Sequence, residues 1–107
     1  LTLFFGWPGG NWTPITVEEL VQRSRSVPLG SLCSVSAMGR NTWDFIAAAV
    51  LQGDHIRVGT EDCPFDIDGS PAVDNVQLVK RALSIVEALG KKPASPEETR
   101  SALSIQR

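Results

Sequence analysis

SLCSVSA, residues 31–37, is a short and mostly apolar stretch that leads into a glycine-containing loop and then into a helix-forming pattern. LTLFFGW at residues 1–7 and HIRVGT at residues 55–60 are followed by the same order of loop and helix pattern. Stretches that are apolar on both faces are typical of parallel strands covered by helices. The sequence therefore predicts three strand-loop-helix units, with strands over Leu1–Trp7, Ser31–Ala37 and His55–Thr60.

The first two predicted helices have clear sequence signals at their ends. Thr16 and Glu19 have the spacing of a capping box, and the helix that follows them has one apolar face. The second helix begins at Asn41-Thr42 and runs to Leu51, with Gly53 as its C-terminal stop. The apolar face of the first helix comprises Val17, Leu20 and Val21.

Two more helices follow in the last third of the chain. Asp74 is expected to cap the third helix, which ends at Gly90. A short fourth helix is expected to begin at Ser95, with Pro96 at its first position and Glu98 completing a capping box. Helical spacing predicts the core-facing residues of the third helix, which are Val76, Val79, Leu83 and Val86.

The order of these elements indicates the fold class. No tight hairpin signal joins two strands, so we expect crossover connections and parallel pairing. A (β/α)8 barrel of about 250 residues uses about 31 residues per unit. Three units and a terminal helix therefore account for 107 residues, whereas a doubly wound sheet usually has more strands. We predict an α/β fold, a portion of a TIM barrel, with residues 1–107 forming a single partial domain.

The composition narrows the class of partners and the compartment. Ten basic and 12 acidic residues give a net charge of −2, so the sequence does not favour nucleic-acid binding. No apolar run reaches the about 20 residues of a membrane span, and two cysteines favour a reduced, cytoplasmic setting. The chain begins at Leu1 inside an apolar run, which we interpret as a sign of processing or truncation.

The loop after the third strand carries the most informative candidate site. Ligands in such folds bind at the carboxyl ends of the strands. Side chains alternate along a strand, so Arg57, Gly59 and Glu61 are expected to share one face, and Asp62 follows directly. An inward-facing Arg and Glu need a partner or a ligand. One interpretation is a metal ligand or acid-base group beside a carboxylate-binding arginine; the other is a buried Arg57–Glu61 pair that closes the barrel end.

Other candidate residues carry weaker signals. The Gly9-Gly10 loop either lets the backbone approach a ligand or forms a turn. Arg40, before a helix, suits an anion or is simply solvated. His55 lies at the opposite end of its strand, so a structural role is favoured. Cys63 lacks a second histidine to activate it, and the sequence has no set of three residues typical of a catalytic zinc.

Five motifs resemble the β-keto acid cleavage enzyme family, and the match runs the length of the chain as its C-terminal part. The most specific is RVGTED at residues 57–62. The others are the Gly-Gly loop with the helix start at Thr16–Leu20, SVSAMGR at residues 34–40, NVQLV at residues 75–79 and ASPEETR at residues 94–100.

The resemblance implies a zinc-dependent (β/α)8 enzyme that condenses a β-keto acid with acetyl-CoA, giving acetoacetate and a new acyl-CoA. Carried over by position, it implies that Glu61 is a zinc ligand, that Asp62 deprotonates the keto acid, and that Arg57 assists Asp62 near the substrate carboxylate. A Lewis-acid metal on the keto oxygen would stabilise the resulting enolate. The chain would be three units and a terminal helix at the C-terminal end of the barrel.

The sequence also departs from the family pattern. Cys63 stands where the family usually has Asn. The zinc-binding His-x-His pair belongs to an early strand that this chain lacks, so the N-terminal part of the barrel must supply it. The resemblance therefore implies that this 107-residue piece is inactive alone, and that the complete protein is a homo-oligomer.

Two other functions stay open. One is a non-catalytic half-barrel, a structural or assembly piece in which Glu61 pairs with Arg57 without metal. The other is a small cofactor-free binding module that uses the loop from Trp7 to Trp12. The identity of the keto acid does not follow from these residues, because most loops of the barrel lie outside them.

Overall fold

The computed structural model describes residues 1–6 and 13–105. In this part of the chain three strands alternate with three helices, and a fourth helix follows the third. The expectations for the Gly9-Gly10 loop and for the loop from Trp7 to Trp12 lie outside the described residues. The strands are β1 (Thr2–Phe5), β2 (Ser34–Ala37) and β3 (His55–Ile56); the helices are α1 (Val17–Arg25), α2 (Thr42–Gln52), α3 (Asn75–Ala88) and α4 (Pro96–Ala102).

The strands form one parallel sheet in the order β1-β2-β3. In its register Leu3 lies beside Val35 and Phe4 beside Ser36, while Val35 also lies beside Ile56. The α/β class and the parallel pairing predicted from the sequence are thus confirmed. Three strands in a row do not close on themselves, so the barrel stays a prediction.

The third strand is much shorter than predicted. The prediction over His55–Thr60 is wrong beyond Ile56, because among the described residues β3 pairs with β2 alone and its last bond to β2 runs from the Arg57 backbone N–H to the Val35 carbonyl, at 2.9 Å. The chain then turns at Gly59, whose carbonyl accepts from the Asp62 and Cys63 N–H groups. Arg57, Gly59 and Glu61 therefore do not share one face of a strand.

The helix starts agree well with the predicted caps. Ser95 and Glu98 form both bonds of a capping box at the start of α4, and Asp74 accepts from the Gln77 backbone N–H at 2.8 Å. Thr16 caps α1 by accepting from the Glu19 N–H. The Glu19 carboxylate instead pairs with Arg23 at 2.9 Å, so only one bond of that capping box forms.

The main core lies between one face of the sheet and helices α1 and α2. Leu3, Phe5 and Val35 share that face and contact the helices, where Leu20 and Phe45 are fully or almost fully buried. The ring centroids of Phe5 and Phe45 are 4.5 Å apart with a tilt of 60°, a favourable aromatic geometry. The opposite face of the sheet, which carries Phe4 and Ser36, is left for the candidate site.

Helix α3 buries a different face from the one predicted. Leu78 and Ala82 pack against Trp43 of α2, whereas Val76, Val79 and Leu83 are 57%, 47% and 37% exposed. The helix has two neighbouring apolar faces, and periodicity alone does not say which one meets Trp43. The predicted face instead lines an open groove of about 640 Å³ beside β3. Within residues 1–6 and 13–105, no helix is both long and apolar enough to cross a membrane.

A buried carboxylate fixes the long loop between β3 and α3 to that helix. Asp66 is 5% exposed and accepts from Arg81 Nε at 2.8 Å, from Gln77 Nε2 at 2.6 Å and from the Ile67 backbone N–H at 2.7 Å. The bond from the Arg81 guanidinium is the main reason why the pKa of Asp66 lies well below its usual range. The ionised form of Asp66 therefore stabilises the fold.

Replacing Asp66 by Asn should lower stability at neutral pH and flatten its acid dependence. The pKa of Asp66 is lower in the folded than in the unfolded state. Its contribution to the free energy of unfolding is therefore complete above the unfolded-state pKa of about 3.9 and declines as the pH falls below that value. We expect the wild type to lose this increment from about pH 5 downward, and Asp66→Asn to lack it throughout. Urea unfolding at a series of pH values measures both curves.

Glu87→Gln is the matched control, because Glu87 is exposed on the same helix. Its curve should follow that of the wild type. Parallel acid dependences for Asp66→Asn and the wild type would contradict the assignment of Asp66 as the stabilising acid.

Candidate active site

The segment that follows β3 is held in a turn at the carboxyl end of the sheet. The Gly59 carbonyl accepts from the backbone N–H groups of Asp62 and Cys63, at 3.0 and 2.9 Å. The Thr60 N–H donates to Oδ1 of Asn75 at 2.8 Å, which joins the turn to the start of α3. This turn places the side chains of Arg57 and Asp62 beside the sheet face opposite the helices.

Arg57 contacts both of the acidic residues that the sequence singled out. Its Nη2 donates to Glu61, and its Nε lies 3.1 Å from Oδ2 of Asp62. The two carboxylates differ in environment: the side chain of Glu61 is 75% exposed, and that of Asp62 is 2% exposed. The structure thus brings together the three predicted site residues. The Arg57–Glu61 pair exists, but it is not buried as one interpretation required; the buried partner of Arg57 is Asp62.

Ser36 is a fourth member of the cluster that the sequence interpretation missed. It is fully buried on β2, and its hydroxyl donates to Oδ2 of Asp62 at 3.1 Å. The signal was present in the sequence, because Ser36 alternates with the apolar residues Val35 and Ala37 and so points to the other face of the sheet. Asp62 Oδ1 is buried without a hydrogen-bond partner among the described residues.

The first strand also contributes to this cluster. The guanidinium carbon of Arg57 lies 5.4 Å from the ring centroid of Phe4, within cation-π range. Phe4 on β1, Ser36 on β2 and Arg57 after β3 therefore meet on one sheet face. Each of the three parallel strands supplies one residue, which agrees with the expected location of ligand sites at carboxyl ends.

The other candidates lie apart from this cluster or have structural partners. Cys63 is buried and its thiol contacts the Phe65 carbonyl at 3.6 Å. Arg40 is exposed and stacks over the Phe65 ring, with its guanidinium carbon 4.4 Å from the centroid. His55 begins β3 at the opposite end, as predicted.

The described residues do not form a metal centre by themselves. In the ranges 1–6 and 13–105 there is no group of three His, Cys, Asp or Glu side chains placed to hold a metal ion. Glu61 offers one exposed carboxylate, and Asp62 already uses Oδ2 for Ser36 and Arg57. At most one protein ligand of a zinc site can come from Glu61 here, so the residues present do not fit a zinc without further ligands.

The arrangement suits acid-base chemistry on an anionic substrate. A carboxylate buried at the end of parallel strands, with Oδ2 held by two donors and with Oδ1 unpaired among the described residues, is a candidate acid-base group. The half-exposed Arg57 beside it can attract a substrate carboxylate.

Comparison with known proteins identifies the family of the chain. The profile described as beta-keto acid cleavage enzyme matches residues 1–105, and the chain belongs to this family. The resemblance seen in the sequence is confirmed.

The chain aligns with part of the length of three known relatives. The chain is 36% identical to the 3-keto-5-aminohexanoate cleavage enzyme of Fusobacterium nucleatum and 38% identical to that of Acetoanaerobium sticklandii, over 92 residues or 86% of the chain in each case. It is 37% identical over 105 residues, or 98% of the chain, to the 3-dehydrocarnitine:acetyl-CoA trimethylamine transferase of Rhizobium meliloti. The alignments cover 34% of each relative, so the chain spans about a third of their length.

Proposed function

We propose that this chain is the C-terminal part of a β-keto acid cleavage enzyme, which condenses a β-keto acid with acetyl-CoA to give acetoacetate and a new acyl-CoA. The observation that carries the proposal is the buried Asp62, held by Ser36 and Arg57 with one oxygen free of donors. Family membership and the names of the relatives, two cleavage enzymes and one acetyl-CoA-dependent transferase, support it.

Asp62 is the general base in this proposal. Its carboxylate takes the α-proton of the β-keto acid, and the electron pair of the broken C–H bond stays on the substrate as an enolate. Arg57 holds Oδ2 and presents the remainder of its guanidinium toward the substrate carboxylate. Because Arg57 is positively charged, it attracts the anionic substrate.

We also propose that the complete enzyme depends on zinc, with Glu61 as one ligand. The supporting observation is its high exposure, 75% of the side chain, at the mouth of the sheet. The remaining ligands have to come from outside this chain, from the His-x-His pair of the N-terminal part of the barrel. Arg57 would have to release Glu61 before it binds metal, since the two are paired here.

The N-terminal part of the barrel is the proposed partner of the open side of the sheet. Among the described residues β3 has a neighbour on one side, and the exposed side chains of Val79 and Leu83 of α3 lie next to it. An unpaired parallel edge with adjacent exposed apolar side chains is unfavourable in water. In this proposal the missing strands cover that edge, and the complete barrel forms a homo-oligomer in the cytoplasm.

Replacing Glu61 by Gln should abolish zinc binding by the assembled protein. A neutral amide is a much poorer zinc ligand than a carboxylate, and an open site has few other protein ligands. We expect zinc to fall from about one ion per site to none. The measurement is metal analysis of the chain copurified with a polypeptide that carries the His-x-His pair, together with intact mass.

Glu87→Gln, which removes an exposed carboxylate from α3, should leave the zinc content unchanged. A single 11.6 kDa species that is stable in solution without zinc or a partner would overturn the zinc proposal for this chain. It would favour the second candidate, a non-catalytic half-barrel. The Arg57–Glu61 pair is the observation in favour of that candidate, because each charge already has a partner.

A further inference from the structure

Ser36 is a buried hydroxyl whose partner lies far away in sequence. It occupies the middle of β2, opposite Phe4 in the register, and it is fully excluded from solvent. Its hydroxyl donates to Oδ2 of Asp62, 26 residues along the chain, at 3.1 Å. Buried hydroxyls need a partner, so this bond satisfies Ser36 and at the same time restrains Asp62.

The two oxygens of Asp62 have different surroundings because of this bond. Arg57 Nε also lies 3.1 Å from Oδ2, so two donors from separate segments converge on one oxygen. Oδ1 is buried and has no donor among the described residues. Exchange of the two oxygens by rotation of the carboxylate would break both bonds, so the two donors hold the carboxylate in one orientation.

Ser36 and Arg57 restrain Asp62 to different degrees. Arg57 is a long side chain, 43% exposed, and it also contacts Glu61. Ser36 has one rotatable bond before its oxygen and lies within the paired backbone of the sheet. A short buried side chain loses little conformational freedom when it forms a bond, whereas a long exposed one loses more. Ser36 is therefore the more rigid of the two supports.

We propose that Ser36 is a positioning residue for the proton-abstracting step, which holds the Asp62 carboxylate in one orientation through its bond to Oδ2. The hydroxyl of Ser36 acts through Asp62 and does not touch the substrate. This inference rests on the proposed function, because it presupposes that Asp62 is the base. It adds a residue from the centre of the sheet to a site otherwise made by the loop after β3.

Ser36→Ala tests the inference in the complete enzyme that contains this chain. The substitution removes the buried Oγ and with it the bond to Asp62. We expect the β-keto acid to exchange its α-hydrogen in D₂O about 10- to 100-fold more slowly than with the wild type. KM for the keto acid and zinc content should stay within about twofold of the wild type, because Ser36 does not contact the substrate and its loss should not weaken substrate binding in the ground state. Ser36→Thr keeps the hydroxyl and should restore most of the rate.

Ser34→Ala is the matched control, because Ser34 lies on the same strand and face, and it should exchange the α-hydrogen at the wild-type rate. Circular dichroism and melting temperature show whether Ser36→Ala folds, and Ser36→Cys gives a second variant with a much weaker donor. Wild-type exchange rates in folded Ser36→Ala or Ser36→Cys would overturn the positioning role. Absence of exchange and of acetoacetate formation in the wild type would instead overturn the proposed function.

Discussion

Replacing Asp62 by Asn is expected to lower turnover of the complete enzyme by about 100- to 10,000-fold, the contribution of a positioned general base. The Asn side chain has the same shape, and its amide oxygen can still accept from Ser36 and Arg57 at the Oδ2 position. The NH₂ group then occupies the position of Oδ1, and an amide is too weak a base to take the α-proton. The substitution therefore removes the carboxylate base and preserves the packing of the side chain. Acetoacetate formation from a β-keto acid and acetyl-CoA measures it.

Two further measurements separate the base from the metal. Zinc content of Asp62→Asn should equal that of the wild type, since Glu61 is the assigned ligand, and KM for the keto acid should change little. Asp68→Asn, which alters an exposed carboxylate bonded to Ser70, should retain full turnover. A turnover of Asp62→Asn within threefold of the wild type would show that another group abstracts the proton.

Phe45→Ala is expected to reduce the free energy of unfolding by about 3 to 5 kcal/mol, the range measured for large-to-small substitutions in protein cores. Phe45 is 2% exposed and its ring lies 4.5 Å from that of Phe5, centroid to centroid. The substitution leaves a cavity between α2 and the sheet and also removes the aromatic pair. The loss is a large share of the about 5 to 15 kcal/mol by which small domains are stable. Urea unfolding followed by circular dichroism measures the change.

The control for this substitution is Leu29→Ala. Leu29 is fully exposed in the turn that follows α1, so its truncation should change the free energy of unfolding by less than about 0.5 kcal/mol. Equal destabilisation by the two substitutions would contradict the position of the core between the sheet and α2.

The ends of the helices could be predicted from the sequence because caps depend on residues three positions apart. Thr16, Asp74 and Ser95 each accept from the expected backbone N–H, and Gly53 ends α2 with a φ of 87°. Strand lengths depend on the neighbouring strand, which a short apolar run does not specify. The end of β3 at Ile56 depends on where its bonds to β2 stop, at the Arg57 N–H, and no residue in its own sequence signals it.

The buried face of α3 and the complete set of site residues could not be predicted either, because both depend on contacts with other elements of the fold. Arg57, Glu61 and Asp62 are neighbours in sequence, so local spacing was enough to place them together. The contact of Ser36 with Asp62 depends on the register of β2 and on the turn at Gly59. The choice between the two apolar faces of α3 depends on Trp43, which belongs to another helix.

The short third strand has a consequence for how the site can vary. β3 joins the sheet through two residue pairs, and the loop after it is connected through the Arg57 N–H, the Gly59 carbonyl and Asn75. These few bonds lie outside the aromatic core, so opening of the loop should require much less free energy than unfolding of the sheet. Substitutions of exposed residues in this turn should therefore change its local contacts with little loss of global stability, whereas the buried Asp62 and Asp66 do not share this tolerance.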